Sequence, residues 1–190
     1  MNRIVFLIGL PGSGKSTIGA ALADNLGWNL VATDREVASK LQVAADTALL
    51  AVGEERYREV EREVLRDLLH DLPRENTIVD CGSGALDNPQ TLRELQDLPG
   101  AEVLELVIDL STMADRAGLN RPRSLGLGMP RAWLRQMGQQ RRQRSRQVGR
   151  KRRQRWQILH PLTVEVSDLS KTQVLQKVAE ALNLGSESTG

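Results

Sequence analysis

A short apolar run, a glycine-rich loop and an alanine-rich helix follow one another at the amino end, and that order admits few folds. Arg3-Ile-Val-Phe-Leu-Ile8 is apolar and β-branched, the composition of a buried parallel strand. Gly9-Leu-Pro-Gly-Ser-Gly-Lys-Ser-Thr17 fits the pattern G-x-x-x-x-G-K-[ST], with Gly9, Gly14, Lys15 and Ser16 in its fixed positions. Ile18, Leu22 and Leu26, with alanines at 20, 21 and 23, then recur at helical spacing. A loop in this context wraps a polyphosphate. Its glycines let the backbone come close to a ligand, and consecutive N–H groups form an anion nest at the positive end of the helix. Lys15 reaches the β- and γ-phosphates as a mobile point charge, and the Ser16 hydroxyl suits Mg²⁺, which prefers hard oxygen ligands. Gly12, Ser13, Gly14, Lys15, Ser16 and Thr17 are therefore the expected nucleotide contacts, with ATP and Mg²⁺ as cofactors.

Further strands are expected at Asn29–Ala32, Thr77–Asp80, Ala101–Asp109 and Thr163–Val166. Helices are expected over 35–41, 44–52, 54–72, 88–97, 111–117 and 171–182, and over part of 131–157 with an interruption near Gly149. Alternating strands and helices predict a three-layer α/β/α sandwich with a five-stranded parallel sheet, of the phosphate-loop, nucleoside-monophosphate-kinase-like type. At 190 residues one domain is expected, spanning 1–184, with a Gly/Pro-rich lid at about 118–130 and a flexible polar tail at 185–190. Ligands of such sheets sit at the carboxyl ends of the strands, which places the loop, Asp34, Asp80–Gly84 and the lid along one rim.

Composition excludes several classes. Cys81 is the sole cysteine, so no intramolecular disulfide can form and a reducing, cytoplasmic setting is expected. No apolar run reaches the length of a membrane helix, and the apolar start runs straight into the phosphate loop rather than into a cleavage segment. Aromatic residues make up 3 %, so the core must be aliphatic.

The rim residues resemble the shikimate kinase family, over most of the chain from Arg3 to Asp115 and weakly after Arg123. The resemblance begins with the phosphate loop and continues in Leu26-Gly-Trp-Asn-Leu-Val-Ala-Thr-Asp34, placed like that family's second strand ending in Asp-x-Asp. Gly53-Glu-Glu-Arg-Tyr-Arg58 is similar to its Gly-Glu-x-x-Phe-Arg motif, followed by a glutamate, here Glu61. Gly82-Ser-Gly-Ala85 stands where the family has Gly-Gly-Gly-x, and Arg121-Pro122 where its lid carries Arg-Pro-Leu. The resemblance implies that Asp34 holds the acceptor hydroxyl and acts as its base, and that Arg58 clamps a carboxylate through its guanidinium fork. Gly82, Ser83 and Gly84 would line the acceptor, Arg121 would neutralise the transferring phosphoryl group, and Arg116 would stack on adenine. A small-molecule acceptor and a monomer are implied. The family also expects a later arginine on the carboxylate; Arg141 fits one alignment and Arg155 another.

Three departures stand out. Ala32 replaces the first aspartate of Asp-x-Asp, which helps organise Mg²⁺. Asp80 stands where the family has a small residue, either as a replacement metal-side carboxylate or as a carboxylate hydrogen-bonded to the sheet rim. Ser83 interrupts the glycine triplet, narrowing the acceptor pocket or adding a hydrogen bond. The alternatives are a kinase of another small hydroxy acid such as gluconate, and a nucleotide-binding protein with a degenerate acceptor site and a nucleic-acid-binding basic segment.

Residues 131–156 hold 11 of the 26 Lys and Arg and no acid, against 15 basic and 24 acidic residues elsewhere. Such a run suits a polyanion, or it supplies one or two active-site arginines from an otherwise solvated helix face. Only Trp156 lies near its arginine clusters at 141–146 and 150–155 as a stacking surface, so nucleic acid is not the expected partner. His70, His160, Trp28 and Trp133 are expected to be structural.

Overall fold

The computed structural model describes residues 2–116 and 131–184, without the side chains of 114, 115, 131–139, 141 and 142. The predicted lid and tail lie outside these residues. Five strands, β1 (Ile4–Gly9), β2 (Asn29–Ala32), β3 (Thr77–Asp80), β4 (Ala101–Val107) and β5 (Leu162–Glu165), form one parallel sheet in the order β2-β3-β1-β4-β5. All six residues of β1 are buried because it has a strand on each side and helices over both faces. The edge strand β5 buries only Val164 and leaves Leu162 exposed.

The helices are α1 (Lys15–Leu26), α2 (Thr33–Leu41), α3 (Ala48–Val52), α4 (Glu54–His70), α5 (Pro89–Gln96), α6 (Leu110–Arg116), α7 (Arg131–Trp156) and α8 (Lys171–Ala181). Their ends follow ordinary capping chemistry. Gly27 ends α1 in the left-handed region, Asn88 accepts from the Gln90 and Thr91 N–H groups ahead of Pro89, and Ser170 with Gln173 forms a capping box on α8. The apolar core is mostly aliphatic and centred on β1 and β4, with Trp156 and Phe6 its fully buried aromatics. Trp28 packs partly buried against it, with the Arg3 guanidinium 5.8 Å from its ring. A smaller cluster of Val37, Ala38, Ala48, Tyr57, Val60 and Val64 joins α2, α3 and α4 into an annex beside the sheet rim.

Several boundaries differ from the sequence expectation. Helix α2 starts at Thr33, so Asp34 lies in its first turn rather than at a strand end. Strand β4 stops at Val107 because Asp109 turns to cap α6, accepting from the Ser111 and Thr112 N–H groups at 2.8 and 2.9 Å. Helix α3 covers only five of the nine residues expected.

The largest correction concerns α7, which runs unbroken through Gly149. That glycine is buried where the helix crosses the rim: a Cβ there would meet Leu10 Cδ1 at 3.1 Å and Leu110 Cδ2 at 3.2 Å. Its small size permits close approach rather than a break. The second half of α7 is also well anchored. Trp156 is buried, and Arg152 and Arg153 pair with Asp87 and Glu105. Glu105, on β4, is 1 % exposed, and its Oε1 accepts from Arg153 Nε at 2.9 Å. Burial pushes its carboxyl above the usual range, opposed by Arg153.

Removing Arg153 would strand a buried carboxylate. Arg153→Ala is expected to lower unfolding stability by about 2 kcal/mol at neutral pH. The deficit narrows as pH falls through the raised pKa of Glu105, because a protonated carboxyl needs no cation. Urea unfolding of Arg153→Ala and of Arg153→Ala with Glu105→Leu checks this, the second change restoring most of the loss.

Candidate active site

The phosphate loop crosses from the end of β1 into α1. Gly12 and Gly14 take φ of 81° and 90°, values that side chains disfavour, and so turn the loop N–H groups toward one side. A Cβ on Gly9 would lie 2.6 Å from Ser13 Oγ and 2.7 Å from the Leu106 carbonyl, so the loop closes tightly over β4. Ser13 is buried, with its hydroxyl unpartnered among the described residues, whereas Ser16 and Thr17 are exposed on the first turn of α1. Lys15 Nζ donates to the Gly9 carbonyl at 3.0 Å, folded back inside the loop. Burial pulls its pKa below the ordinary value, and the nearby carboxylates of Asp80 and Asp34 oppose the drop.

Asp80 ends β3, with the Ser16 hydroxyl close enough to bear on its carboxylate. Burial raises its pKa, against the pull of Ser16 and Lys15. Ala32, the position that lacks the expected aspartate, is the register partner of Asp80 on the adjacent strand. The chain thus carries its carboxylate one strand away from the expected place, still on the rim. Ser16 and Asp80 are neighbouring hard oxygen donors, a pair that fits Mg²⁺ when phosphate and water complete the shell. No group of three or more His, Cys, Asp or Glu suited to a metal occurs among the described residues.

The annex supplies the other half of the site. Asp34, Tyr57, Arg58, Glu61, Ser83 and Gly84 line a cavity of about 160 Å³. Two glycines make this convergence possible. A Cβ on Gly82 would fall 2.3 Å from Asp34 Oδ1 and 3.1 Å from Glu61 Oε1. A Cβ on Gly84 would fall 2.1 Å from Arg58 Nη1 and 2.6 Å from its Cζ. Both side chains therefore rest on bare backbone. The Gly82 N–H donates to Thr33 Oγ1 at 2.8 Å and ties the β3 loop to α2. Arg58 donates through Nη1 to Glu61 Oε2 at 2.6 Å, and Glu61 is 2 % exposed. Burial raises the Glu61 pKa, and the Arg58 guanidinium opposes it. Cys81 is buried and its thiol is pushed far up by burial, so it packs as a small apolar residue.

Of the two later arginines that the alignments offered, the structure bears only on Arg155. Arg155 is exposed, and the Arg141 side chain lies outside the described residues. Arg152 instead turns inward. Its Nε and Nη2 grip Asp87 at 2.9 and 2.6 Å in a bidentate pair. Its charge bears on Lys15, and that of Asp87 bears on Arg58. A helical register for α7 could have found it: Gly149, Arg152 and Trp156 share its buried face, at spacings of three and four. Arg116 is exposed and donates to the Ser167 carbonyl at 2.7 Å beyond β5, and Arg121 lies outside the described residues.

A lysine-bearing phosphate loop at the end of the central strand, facing a pocket with a carboxylate and a seated guanidinium, defines a phosphate-loop kinase of small molecules. The shikimate kinase family model matches residues 11–183. This chain belongs to the shikimate kinase family and is an ATP-dependent kinase. It is 35 % identical over 179 residues to a shikimate kinase of Thermobifida fusca, covering 94 % of each chain. Among solved structures it resembles shikimate kinase from Bacteroides thetaiotaomicron, with a TM-score of 0.72, 19 % identity and 95 % and 98 % of the two chains covered. Shikimate kinase from Acinetobacter baumannii in complex with shikimate superposes with a TM-score of 0.69 at 21 % identity, covering 100 % and 97 %. The likeness therefore extends past Arg123, where the motifs fade, to the end of the last helix.

Proposed function

We propose that this protein moves the γ-phosphoryl group of ATP to the 3-hydroxyl of shikimate, in aromatic amino-acid biosynthesis. The observation that carries the reading is the seating of Asp34 on Gly82 and Arg58 on Gly84, one beside the other at the mouth of a single cavity. Bound ATP with Mg²⁺ supplies the phosphoryl group and screens its charge. The loop N–H groups and Lys15 hold the phosphates, and Lys15 leaves the Gly9 carbonyl to do so. Asp34 orients the acceptor hydroxyl and takes its proton. Arg58 and Arg152 bind the acceptor carboxylate, with Glu61 and Asp87 fixing their forks. Arg121, from the lid, neutralises charge on the phosphoryl group. Most of the rate then comes from positioning and electrostatics.

Ser16 and Asp80 would hold the metal, with Asp80 in the role that Ala32 cannot fill. The nearness of the Ser16 hydroxyl to Asp80, and the register of Asp80 beside Ala32, support this. Asp80→Asn is expected to weaken Mg²⁺ binding to the nucleotide complex by about tenfold. Calorimetric titration of Mg²⁺ into the protein with ADP checks it; an unchanged affinity assigns Asp80 to the sheet rim alone.

The acceptor is tested by ADP release with ATP and Mg²⁺ in the presence of shikimate, of gluconate, or of neither. Turnover dependent on shikimate is expected. Turnover on gluconate alone would replace the acceptor while keeping the kinase.

A further inference from the structure

To take a proton from the acceptor, the Asp34 carboxylate must be held at one angle. Asp34 lies in the first turn of α2, exposed toward the cavity, where a lone carboxylate would rotate freely. Two contacts prevent that. Tyr57, in the first turn of α4, donates its hydroxyl to Asp34 Oδ1 at 3.0 Å. The same oxygen rests against the Gly82 backbone, as the 2.3 Å approach of a built Cβ shows. Oδ1 is thereby occupied on two sides.

The tyrosine itself is fixed. Its ring is 8 % exposed and packs in the annex cluster with Val37, Ala38 and Val60, so its hydroxyl is delivered from a rigid base. The remaining groups around Asp34 supply charge and no comparable support. Lys15 of α1, Asp80 and Cys81 at the end of β3, and Glu61 of α4 feel its field. Of these, Glu61 is committed to Arg58 and Lys15 to the phosphate loop.

We infer that Tyr57 is a positioning residue for phosphoryl transfer: its hydroxyl locks Oδ1 of Asp34 and so presents Oδ2 to the acceptor hydroxyl. The inference rests on the reading of Asp34 as the group that takes the acceptor proton. A carboxylate with one oxygen tied and one free offers a single acceptor direction, and catalysis depends on such alignment. The family pattern has phenylalanine at this place, so the hydroxyl is an addition to a ring that already fits the cluster.

A double-mutant cycle tests it on the full chain, with kcat and both KM values measured on ATP and shikimate. Tyr57→Phe removes one oxygen and keeps the packing. It is expected to lower kcat by about tenfold, the size of a lost hydrogen bond to a charged group, with KM for ATP and shikimate within twofold and the melting temperature lowered by a few degrees at most. Asp34→Asn is expected to lower kcat by about a hundredfold or more. In the Asp34→Asn background, Tyr57→Phe should cost nothing further, because its effect passes through that carboxylate. An equal tenfold loss in both backgrounds overturns the inference, as does a kcat unaltered by Tyr57→Phe while Asp34→Asn is severely impaired. If Asp34→Asn itself keeps wild-type turnover, the reading of Asp34 as base fails, and the positioning role falls with it.

Discussion

Lys15→Met is expected to reduce kcat/KM for ATP by about a thousandfold, close to 4 kcal/mol of lost transition-state stabilisation. The lysine is the only side-chain cation that the phosphate loop itself provides, and it sits where burial already works against its charge. In that setting a charge is worth more than it would be in water. Its loss also removes the cation that faces the carboxylates of Asp80 and Asp34, so the phosphates meet a less attractive site. Steady-state kinetics checks this, with KM for shikimate expected to stay within about threefold because the acceptor half has its own arginines. A loss below tenfold would show that backbone N–H groups alone carry the phosphates.

Gly84→Ala and Gly82→Ala add the same methyl group two residues apart and are expected to fail in different ways. At Gly84 the methyl displaces the Arg58 guanidinium, whose Nη1 would lie 2.1 Å away. The carboxylate clamp is lost, and KM for shikimate should rise by about a hundredfold, or 2–3 kcal/mol, with KM for ATP unaltered. At Gly82 the methyl meets Asp34 Oδ1, so kcat should fall instead. Measuring kcat and both KM values for the two variants separates the clamp from the base. Equal kinetic defects in both would point to a general collapse of the loop after β3.

The first half of the site was legible because its chemistry is local. The phosphate loop needs its glycines, lysine and serine in one short run, and β1 announces itself by being apolar on both faces. Gly82 and Gly84 were found from motif spacing, although their purpose is visible only in space, where each makes room for a side chain from a distant helix. What escaped was long-range or depended on register. Tyr57 looks like one more apolar residue in the stripe of α4, because nothing in the sequence reveals that its hydroxyl faces α2. Arg152 was hidden among like residues, since choosing one arginine of a run requires knowing which face of α7 is buried. Gly149 was misread for a related reason. A glycine in a helical pattern signals a break or a close approach, and only the packing partners Leu10 and Leu110 decide which.

Arg58 in the pocket and Arg152 on α7 each already hold an internal carboxylate, Glu61 and Asp87. A pair of unpaired guanidinium groups would act as a general anion trap, capturing inorganic phosphate, sulfate or any metabolite acid in the cell. Here a stray anion meets cations whose field is largely cancelled, and gains little from charge alone. Only a ligand that also satisfies Asp34 and the glycine backbone recovers enough contacts to stay. On the proposed roles of Arg58 and Arg152, the pocket would discriminate by shape among anions, at the expense of raw electrostatic attraction.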